Sequence, residues 1–220
     1  MVMSLDDDYS HKRQEMVRTQ LLARGITDPA TLEAMRHVPR HLFVPASMQE
    51  DAYEDRPLPI GEGQTISQPF IVALMNQLAE ITPDSIVLDI GTGSGYAAAV
   101  AAYTAQEVYT VEFLPNLAHA AQECFKQLAY LSIHCKVADG SLGWPEHAPY
   151  DAIIVAAGAP AIPQTLIKQL KIGGRLIIPV GDSFSQLLLR LRKTSEETYA
   201  QETFEPVRFV PLIGKEGWES

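Results

Sequence analysis

The residues of this chain best suited to chemistry lie in a glycine-rich turn, LDIGTGSGYAAA, and among the acidic residues near it. Gly93, Gly95 and Ala98 match the dinucleotide pattern G-x-G-x-x-A, whereas Gly91, Gly93 and Gly95 match a tighter G-x-G-x-G. Either pattern predicts a turn from a strand into a helix at the carboxyl end of the strand, where open α/β sheets bind ligands. The turn alone does not identify the ligand.

Three acidic residues narrow the choice of ligand. Asp89, two residues before Gly91, would repel a pyrophosphate but suits S-adenosylmethionine, which carries an ammonium and a sulfonium. Glu112, 23 residues after Asp89, is suited to accept both hydroxyls of a ribose. Asp139 is suited to accept from an adenine amino group, with Gly140 allowing close approach. Taken singly, Asp89 is equally well explained as a helix-capping carboxylate, Glu112 as a solvated strand end and Asp139 with Gly140 as a simple turn. Together they favour an adenosyl cofactor.

The elements that must position these residues alternate between strands and helices. Apolar runs predict strands at SIVLDI, EVYTVEF, IHCKVAD, YDAIIVAA and GRLIIPVG, and helix-like stretches separate most of them. This order predicts a doubly wound, mostly parallel, Rossmann-like α/β sheet. SQLLLRLRK and TYAQETFEPVRFVPLI follow without helices between them, so we expect antiparallel strands at the C-terminal end.

The N-terminal part predicts helices. SHKRQEMVRTQLLARG should end at Gly25, and DPATLEAMRHVP should begin with Asp28 as its N-cap and Pro29 at the first helical position. A third helix is expected over about 68–81. We treat residues 1–220 as a single domain, divided into a helical cap with a substrate loop (1–82) and a cofactor-binding α/β core (83–220), and expect the cap to pack over the ligand crevice.

The segment GEGQTISQP, residues 61–69, has the composition of a loop that either connects elements or holds a ligand. Its glycines would permit a tight path over a bound cofactor. Ser67 is either the N-cap of the following helix or a hydroxyl presented to a substrate, and the two roles are compatible.

Composition argues against several classes of function. The chain has 220 residues and a net charge of −10, which disfavours nucleic acid and anionic membranes as main partners. Cys124 and Cys135 fit no metal or redox spacing, and we expect no metal site. The N-terminus has no apolar signal region, and YAAAVAAYTA is too short to span a bilayer, so we expect a cytoplasmic protein.

Longer motifs resemble a known family. LDIGTGSGY and TVE resemble the cofactor motifs of class I methyltransferases, and LPIGEGQTISQP, YDAIIVAA, GGRLIIPVG and VRFVPL resemble protein-L-isoaspartate O-methyltransferase, over about residues 16–212. The resemblance implies methyl transfer from S-adenosylmethionine to the carboxylate of L-isoaspartyl residues in damaged proteins and peptides. The ester then closes to a succinimide, whose hydrolysis returns some normal aspartate. A monomer is also implied.

The resemblance also implies roles for individual residues. Ser67 is the residue it assigns to the active site. The cofactor would be bound by Gln64, Thr65, Ile66, Asp89, Gly91, Gly93, Ser94, Gly95, Glu112, Phe113, Asp139 and Gly140. The peptide would be bound by Ile66, Ser67, Ala156, Ala157 and Val210.

One departure from the family pattern concerns Gly158, which stands in AAGAP after the fourth core strand, and we expect it to loosen the substrate cleft there. Two other functions stay open. A nicotinamide-dependent oxidoreductase would use the G-x-G-x-x-A pattern, but the chain offers no obvious catalytic Tyr–Lys or His partner. The other alternative is a non-catalytic module that binds S-adenosylmethionine.

Overall fold

A computed structural model describes residues 5–219 of the chain. The strands are β1 (Leu58–Gly61), β2 (Gln64–Ile66), β3 (Ile86–Ile90), β4 (Glu107–Glu112), β5 (Ile133–Val137), β6 (Tyr150–Val155), β7 (Leu170–Gly181), β8 (Gln186–Lys193) and β9 (Tyr199–Val207). The α-helices are α1 (Leu5–Met16), α2 (Pro29–His37), α3 (Pro69–Ala79), α4 (Tyr96–Ala102), α5 (Pro115–Gln127) and α6 (Gln164–Lys168).

Seven strands form one sheet in the order β5-β4-β3-β6-β7-β8-β9. The first five strands in this order pair in parallel, and β8 and β9 add antiparallel strands at the far edge. The mostly parallel sheet with antiparallel C-terminal strands is therefore confirmed. From β3 the chain moves to β4 on one side and later to β6 on the other, which creates a switch point where ligands bind such sheets.

Helices cover both faces of the sheet because its central strands are apolar on both sides. Val87 packs into one core with Ala73 of α3 and Ala99 of α4. Its neighbour Leu88 packs into a second core on the opposite face, together with Leu166 of α6. The alternation along β3 thus fixes which helices flank the switch point.

The N-terminal helices form as the sequence predicts. The first continues from α1 as a π-helical and a 3₁₀ turn, and it ends at Gly25, where φ is 90°. In α2, Asp28 Oδ2 accepts from the Thr31 N–H at 2.8 Å and Pro29 is the first residue. Among the described helices, none has both the length and the apolar character needed to cross a membrane.

Candidate active site

A cavity opens at the carboxyl ends of β3, β4 and β6. This is the switch point, where the chain passes from one side of β3 to the other. Its walls come from residues 64–67 after the β1–β2 hairpin turn, from the glycine turn after β3, from the end of β4 and from residues 210–213. The sequence predicts that the cap at 1–82 packs over this crevice. Of that cap, residues 64–67 and Val72 of α3 line the cavity, whereas the helices before Gln64 pack against α3 and α4.

Most of the residues predicted from the sequence do meet at this cavity. Those that line it are Gln64, Thr65, Ile66, Ser67, Gly91, Gly93, Ser94, Glu112, Phe113, Gly140, Ala156, Ala157 and Val210. Asp89, Gly95 and Asp139 are not part of the lining. The three exceptions lie next to lining residues but have other contacts, which are described below.

Most of the predicted loop at 61–69 belongs to a β-hairpin, of which it supplies the turn and the second strand. Gln64–Ile66 pairs antiparallel with Leu58–Gly61. Glu62 and Gly63 form the two-residue turn with φ of 52° and 70°, and positive φ at both positions is typical of a type I′ turn. Ile66 and its partner Leu58 are buried, so they fix the hairpin to the core. The hairpin holds residue 67 at the cavity wall.

Ser67 follows this hairpin directly and is not a helix cap. The N-cap of α3 is Gln68, which makes no side-chain capping bond. Within the described part of the chain, no residue is hydrogen-bonded to the Ser67 hydroxyl. The capping alternative is therefore wrong, and the hydroxyl is left available to a ligand.

Glu112 ties the end of β4 to the glycine turn. Its side chain is buried, with Oε2 accepting from the Gly93 N–H at 2.8 Å and Oε1 accepting from the Leu114 N–H at 3.0 Å. Each carboxylate oxygen has a second lone pair, so both oxygens can still accept from a hydroxyl. Of all the described residues that line the cavity, Glu112 alone carries a formal charge.

Asp89 lies behind the turn, beneath the cavity floor. It is 1% exposed, and its Oδ2 accepts from the Thr110 hydroxyl at 2.7 Å. The Thr110 and Thr92 hydroxyls are 2.6 Å apart, and Thr92 lines the cavity. Burial raises the pKa of Asp89 to about 7, although the Thr110 hydroxyl acts in the opposite direction; nearby Glu112 adds to the rise. Asp89 therefore reaches the cavity only through this hydroxyl chain and its electric field.

Gly95 packs two helices together. It is the N-cap of α4, with φ of 89°, and a Cβ there would lie 2.6 Å from Cε1 and Cζ of Phe125 in α5. Gly95 is thus a packing residue outside the cavity wall, which corrects its predicted place there. Gly140 does line the cavity, and a Cβ there would lie 2.6 Å from Ile90 Cγ2. Its lack of a side chain allows close packing at the end of β3.

Asp139 binds protein groups on both carboxylate oxygens. Oδ1 accepts from the Ser141 N–H at 2.9 Å and from its hydroxyl at 2.7 Å. Oδ2 accepts from the Lys215 N–H at 2.8 Å. Asp139 thus fixes a C-terminal segment 76 residues away, and the predicted contact of its carboxylate with an adenine amino group stays a prediction.

This C-terminal segment, residues 210–218, forms a strap across the cavity edge. Gly158 N–H donates to the Val210 carbonyl at 2.8 Å, and the Gly158 carbonyl accepts from Leu212 N–H at 2.9 Å and Trp218 Nε1 at 3.0 Å. Gln186 Cδ would lie 2.9 Å from a Cβ at position 158. The expectation that Gly158 loosens the cleft is wrong, because three hydrogen bonds hold it and Gln186 fills the space.

Most of the strap is not predicted by the sequence. Pro211, Leu212 and Ile213 line the cavity, yet only Val210 is predicted to lie there. The bonds that hold the strap reach residues more than 50 positions earlier, and such contacts leave no periodic signal. The VRFVPL motif is the one available indication, and it extends only to Leu212.

A second cavity adjoins the first. The two share Thr65, Ser67, Ala156 and Val210 in their walls. Residues 205–209 at the end of β9, together with Arg24 and Pro57, form its outer part. The arrangement is thus one site with a buried acid and one neighbouring site, and Ser67 lies in the wall that the two share.

Comparisons with known proteins agree with this geometry. Residues 11–217 match the family described as Protein-L-isoaspartate(D-aspartate) O-methyltransferase. Protein-L-isoaspartate O-methyltransferase 2 of Pelobacter propionicus is 55% identical over 94% of this chain and 93% of its own. Protein-L-isoaspartate O-methyltransferase 1 of Geotalea uraniireducens is 56% identical over 94% and 95%.

Solved structures give the same result. A protein-L-isoaspartate O-methyltransferase aligns with a TM-score of 0.82 and 29% identity, over 93% of this chain and 66% of its own. A Plasmodium falciparum protein described as a β-aspartate methyltransferase, in complex with S-adenosyl-L-homocysteine, aligns with a TM-score of 0.78 and 26% identity, over 91% and 98%. With sequence, fold and cavity in agreement, the chain belongs to the protein-L-isoaspartate(D-aspartate) O-methyltransferase family.

Proposed function

We propose that the chain methylates L-isoaspartyl residues with S-adenosylmethionine in the first cavity and the acceptor carboxylate at its junction with the second. The observation that carries this proposal is the shared wall of the two cavities, which includes Ser67, a residue whose hydroxyl has no hydrogen-bond partner in the part of the chain that the structure describes. Family membership supplies the reaction, which initiates repair of damaged proteins through a succinimide. It does not favour the nicotinamide-dependent alternative.

The lining of the first cavity suits an adenosyl ligand with positive charge. Glu112 has free lone pairs for the two ribose hydroxyls, and its charge favours a cation. Positive φ at Gly91 and Gly93 exposes the backbone of the turn for the methionine part, with Ser94 beside them. Phe113 and Gly140 border the adenine. Gln64, Thr65 and Ile66 close the cavity towards the acceptor.

The methyl transfer needs little general acid or base catalysis from these residues. When bound, S-adenosylmethionine supplies an electrophilic methyl group on a sulfonium that leaves as a neutral thioether. A substrate carboxyl group with a pKa of about 4 is already ionised near neutrality. The protein must therefore align the acceptor oxygen and keep water out. We assign the alignment to the Ser67 hydroxyl and the peptide contacts to Ile66, Ala156, Ala157 and Val210.

The test compares Ser67→Ala with Ser67→Thr, which keeps a hydroxyl. Methyl transfer to an isoaspartyl peptide is measured against the matching aspartyl peptide, and cofactor binding is measured by calorimetry. Ser67→Ala should lower kcat about ten-fold or more while the Kd for S-adenosylmethionine changes less than about two-fold. Ser67→Thr should recover part of the rate. Equal losses in kcat and cofactor affinity would show a structural role, and wild-type transfer equal on both peptides would refute the proposed function.

We further propose that the enzyme is a cytoplasmic monomer acting on proteins and peptides, with no nucleic-acid or membrane partner. The net charge of −10 supports this because phosphate groups need clustered cations. We also retain residues 1–82 as a cap with the substrate hairpin and residues 83–220 as the cofactor core. Sedimentation at several protein concentrations tests the monomer directly.

A further inference from the structure

The second cavity has a charge pattern unlike that of the whole chain. The chain carries a net charge of −10, yet the charged residues lining this cavity are Arg24, Glu205 and Arg208, with an excess of one cation. Substrates of the reaction bring a carboxylate to this cavity. A cation in this cavity can bind such an anion only where no protein carboxylate already compensates its charge.

The two arginines differ in what already binds them. Arg24 Nη1 lies 2.6 Å from Asp55 Oδ2, and its guanidinium lies 3.4 Å from the centre of the Phe70 ring. Its charge is therefore compensated and its plane is covered. Arg208 is exposed, and the structure gives its side chain no hydrogen bond or ion pair with any described residue. Glu205, three residues earlier, is likewise unpaired among the described residues.

The backbone that carries Arg208 is nevertheless fixed on both sides. Val207 is buried at the end of β9. The Phe209 N–H donates to Gln186 Oε1 at 2.8 Å, and the Val210 carbonyl accepts from Gly158. A free guanidinium on a fixed backbone loses less entropy on binding than one on a mobile loop. Guanidinium also matches a carboxylate in two-point geometry.

We propose that Arg208 binds a carboxylate of the substrate polypeptide; if this carboxylate belongs to a neighbouring acidic residue, Arg208 also determines which isoaspartyl sites the enzyme prefers. This inference rests on the proposed function, because it takes the second cavity as the substrate site. Two carboxylates can be the partner. One is the isoaspartyl acceptor itself, and the other belongs to an acidic residue next to it in the substrate.

The experiment compares Arg208→Gln with Arg192→Gln. Arg192 is another exposed arginine, without an ion pair among the described residues, and it lies opposite Arg175 at the end of β8 away from Gln186 and the cavities. Both variants lower the net charge equally. Each is assayed with isoaspartyl peptides capped at both termini, one with neutral neighbours and one with a glutamate beside the isoaspartyl residue, at about 0.02 and 0.5 M salt.

Arg208→Gln should raise KM about three- to ten-fold at low salt, with kcat unchanged and with a much smaller effect at high salt. Arg208→Lys should regain part of the loss. Glu205→Gln should lower KM, because it removes the opposing charge. An equal rise in KM on both peptides identifies the acceptor carboxylate as the partner, whereas a rise confined to the glutamate peptide identifies the neighbouring acid.

The inference is overturned if Arg208→Gln and Arg192→Gln give the same KM on both peptides, or if the rise in KM does not depend on salt. Thermal unfolding of each variant controls for folding, and Arg208→Lys remains informative if the glutamine variant unfolds. Wild-type turnover separates this inference from the proposed function. An active wild type with indifferent Arg208 variants refutes the inference alone, and an inactive wild type refutes the function.

Discussion

Replacing Asp89 by asparagine should change the pH dependence of stability. The free energy of unfolding of Asp89→Asn, relative to that of wild type, should be higher at pH 8 than at pH 4. Burial raises the pKa of Asp89 to about 7 in the folded protein, against an ordinary value of 3.8. Between these two values the folded state binds more protons than the unfolded state, so wild-type stability falls as pH rises. Below pH 3.8 both states are protonated, and stability no longer changes with pH through this group. An asparagine side chain at this position would carry no charge at any pH.

The size of the effect follows from the same two values. Each pH unit between about 4 and 7 removes about 1.4 kcal/mol of stability, which gives about 4 kcal/mol in total. No discount for solvent applies, since Asp89 is 1% exposed. The asparagine Oδ1 can still accept from the Thr110 hydroxyl, so the substitution keeps the hydrogen bond and removes only the charge.

Urea unfolding of both proteins from pH 4 to pH 8 measures the difference in unfolding free energy. Other carboxylates titrate equally in the two proteins, so they cancel in the comparison. The stability of Asp89→Asn relative to wild type should rise by about 4 kcal/mol over this range, with most of the change complete by pH 7. A difference that stays constant from pH 4 to pH 8 would show that Asp89 titrates normally and would refute the reasoning.

Three ligand and strap measurements test the carboxylates at the strand ends. Asp89→Asn should weaken the binding of S-adenosylmethionine more than that of S-adenosylhomocysteine, which lacks the sulfonium. Equal losses of affinity for the two ligands, measured by calorimetry at pH 8, would contradict an effect of the Asp89 charge. Glu112→Gln should raise the Kd for S-adenosylmethionine about ten-fold or more, because its amide group must face the N–H of Gly93 or Leu114; a change under about two-fold would contradict this. Asp139→Ala should speed hydrogen exchange in residues 210–218 and raise the KM for an isoaspartyl peptide, since the Lys215 N–H loses its acceptor; unchanged exchange there would contradict its structural role.

The sheet was predictable because its information is local. Each core strand is a short apolar run, and parallel strands bring their carboxyl ends to one edge, so the rim of the site followed from the chain order. The N-cap at Asp28 is predictable for the same reason, because it depends only on Asp28 and the Pro29 that follows it. The hairpin at 58–66 was missed, although Glu62-Gly63 between short apolar segments is a signal for a two-residue turn.

The fate of each acidic residue was not predictable. Asp89, Glu112 and Asp139 all follow apolar runs, and nothing in their local sequences distinguishes them. In the structure, Glu112 faces the cavity, Asp89 is buried beneath it, and Asp139 binds Lys215. These differences depend on which backbone N–H groups arrive from distant parts of the chain. Such long-range pairing has no period that a single sequence can reveal.

The two cavities separate charge in a way that suits the reaction. The first is lined by the carboxylate of Glu112, with Asp89 beneath it. The second contains Arg208 and Glu205, neither of which has an ion pair among the described residues. The first cavity thus favours a positively charged methyl donor, and in our proposal Arg208 favours a negatively charged acceptor in the second. Their charges cancel as the methyl group moves, because a sulfonium and a carboxylate become a neutral thioether and a neutral ester. Water stabilises the charged reactants more than the neutral products, so excluding water at the junction favours the transfer. Ser67 lies in the walls of both cavities without a partner among the described residues, and we propose that its hydroxyl directs the acceptor oxygen at the methyl group.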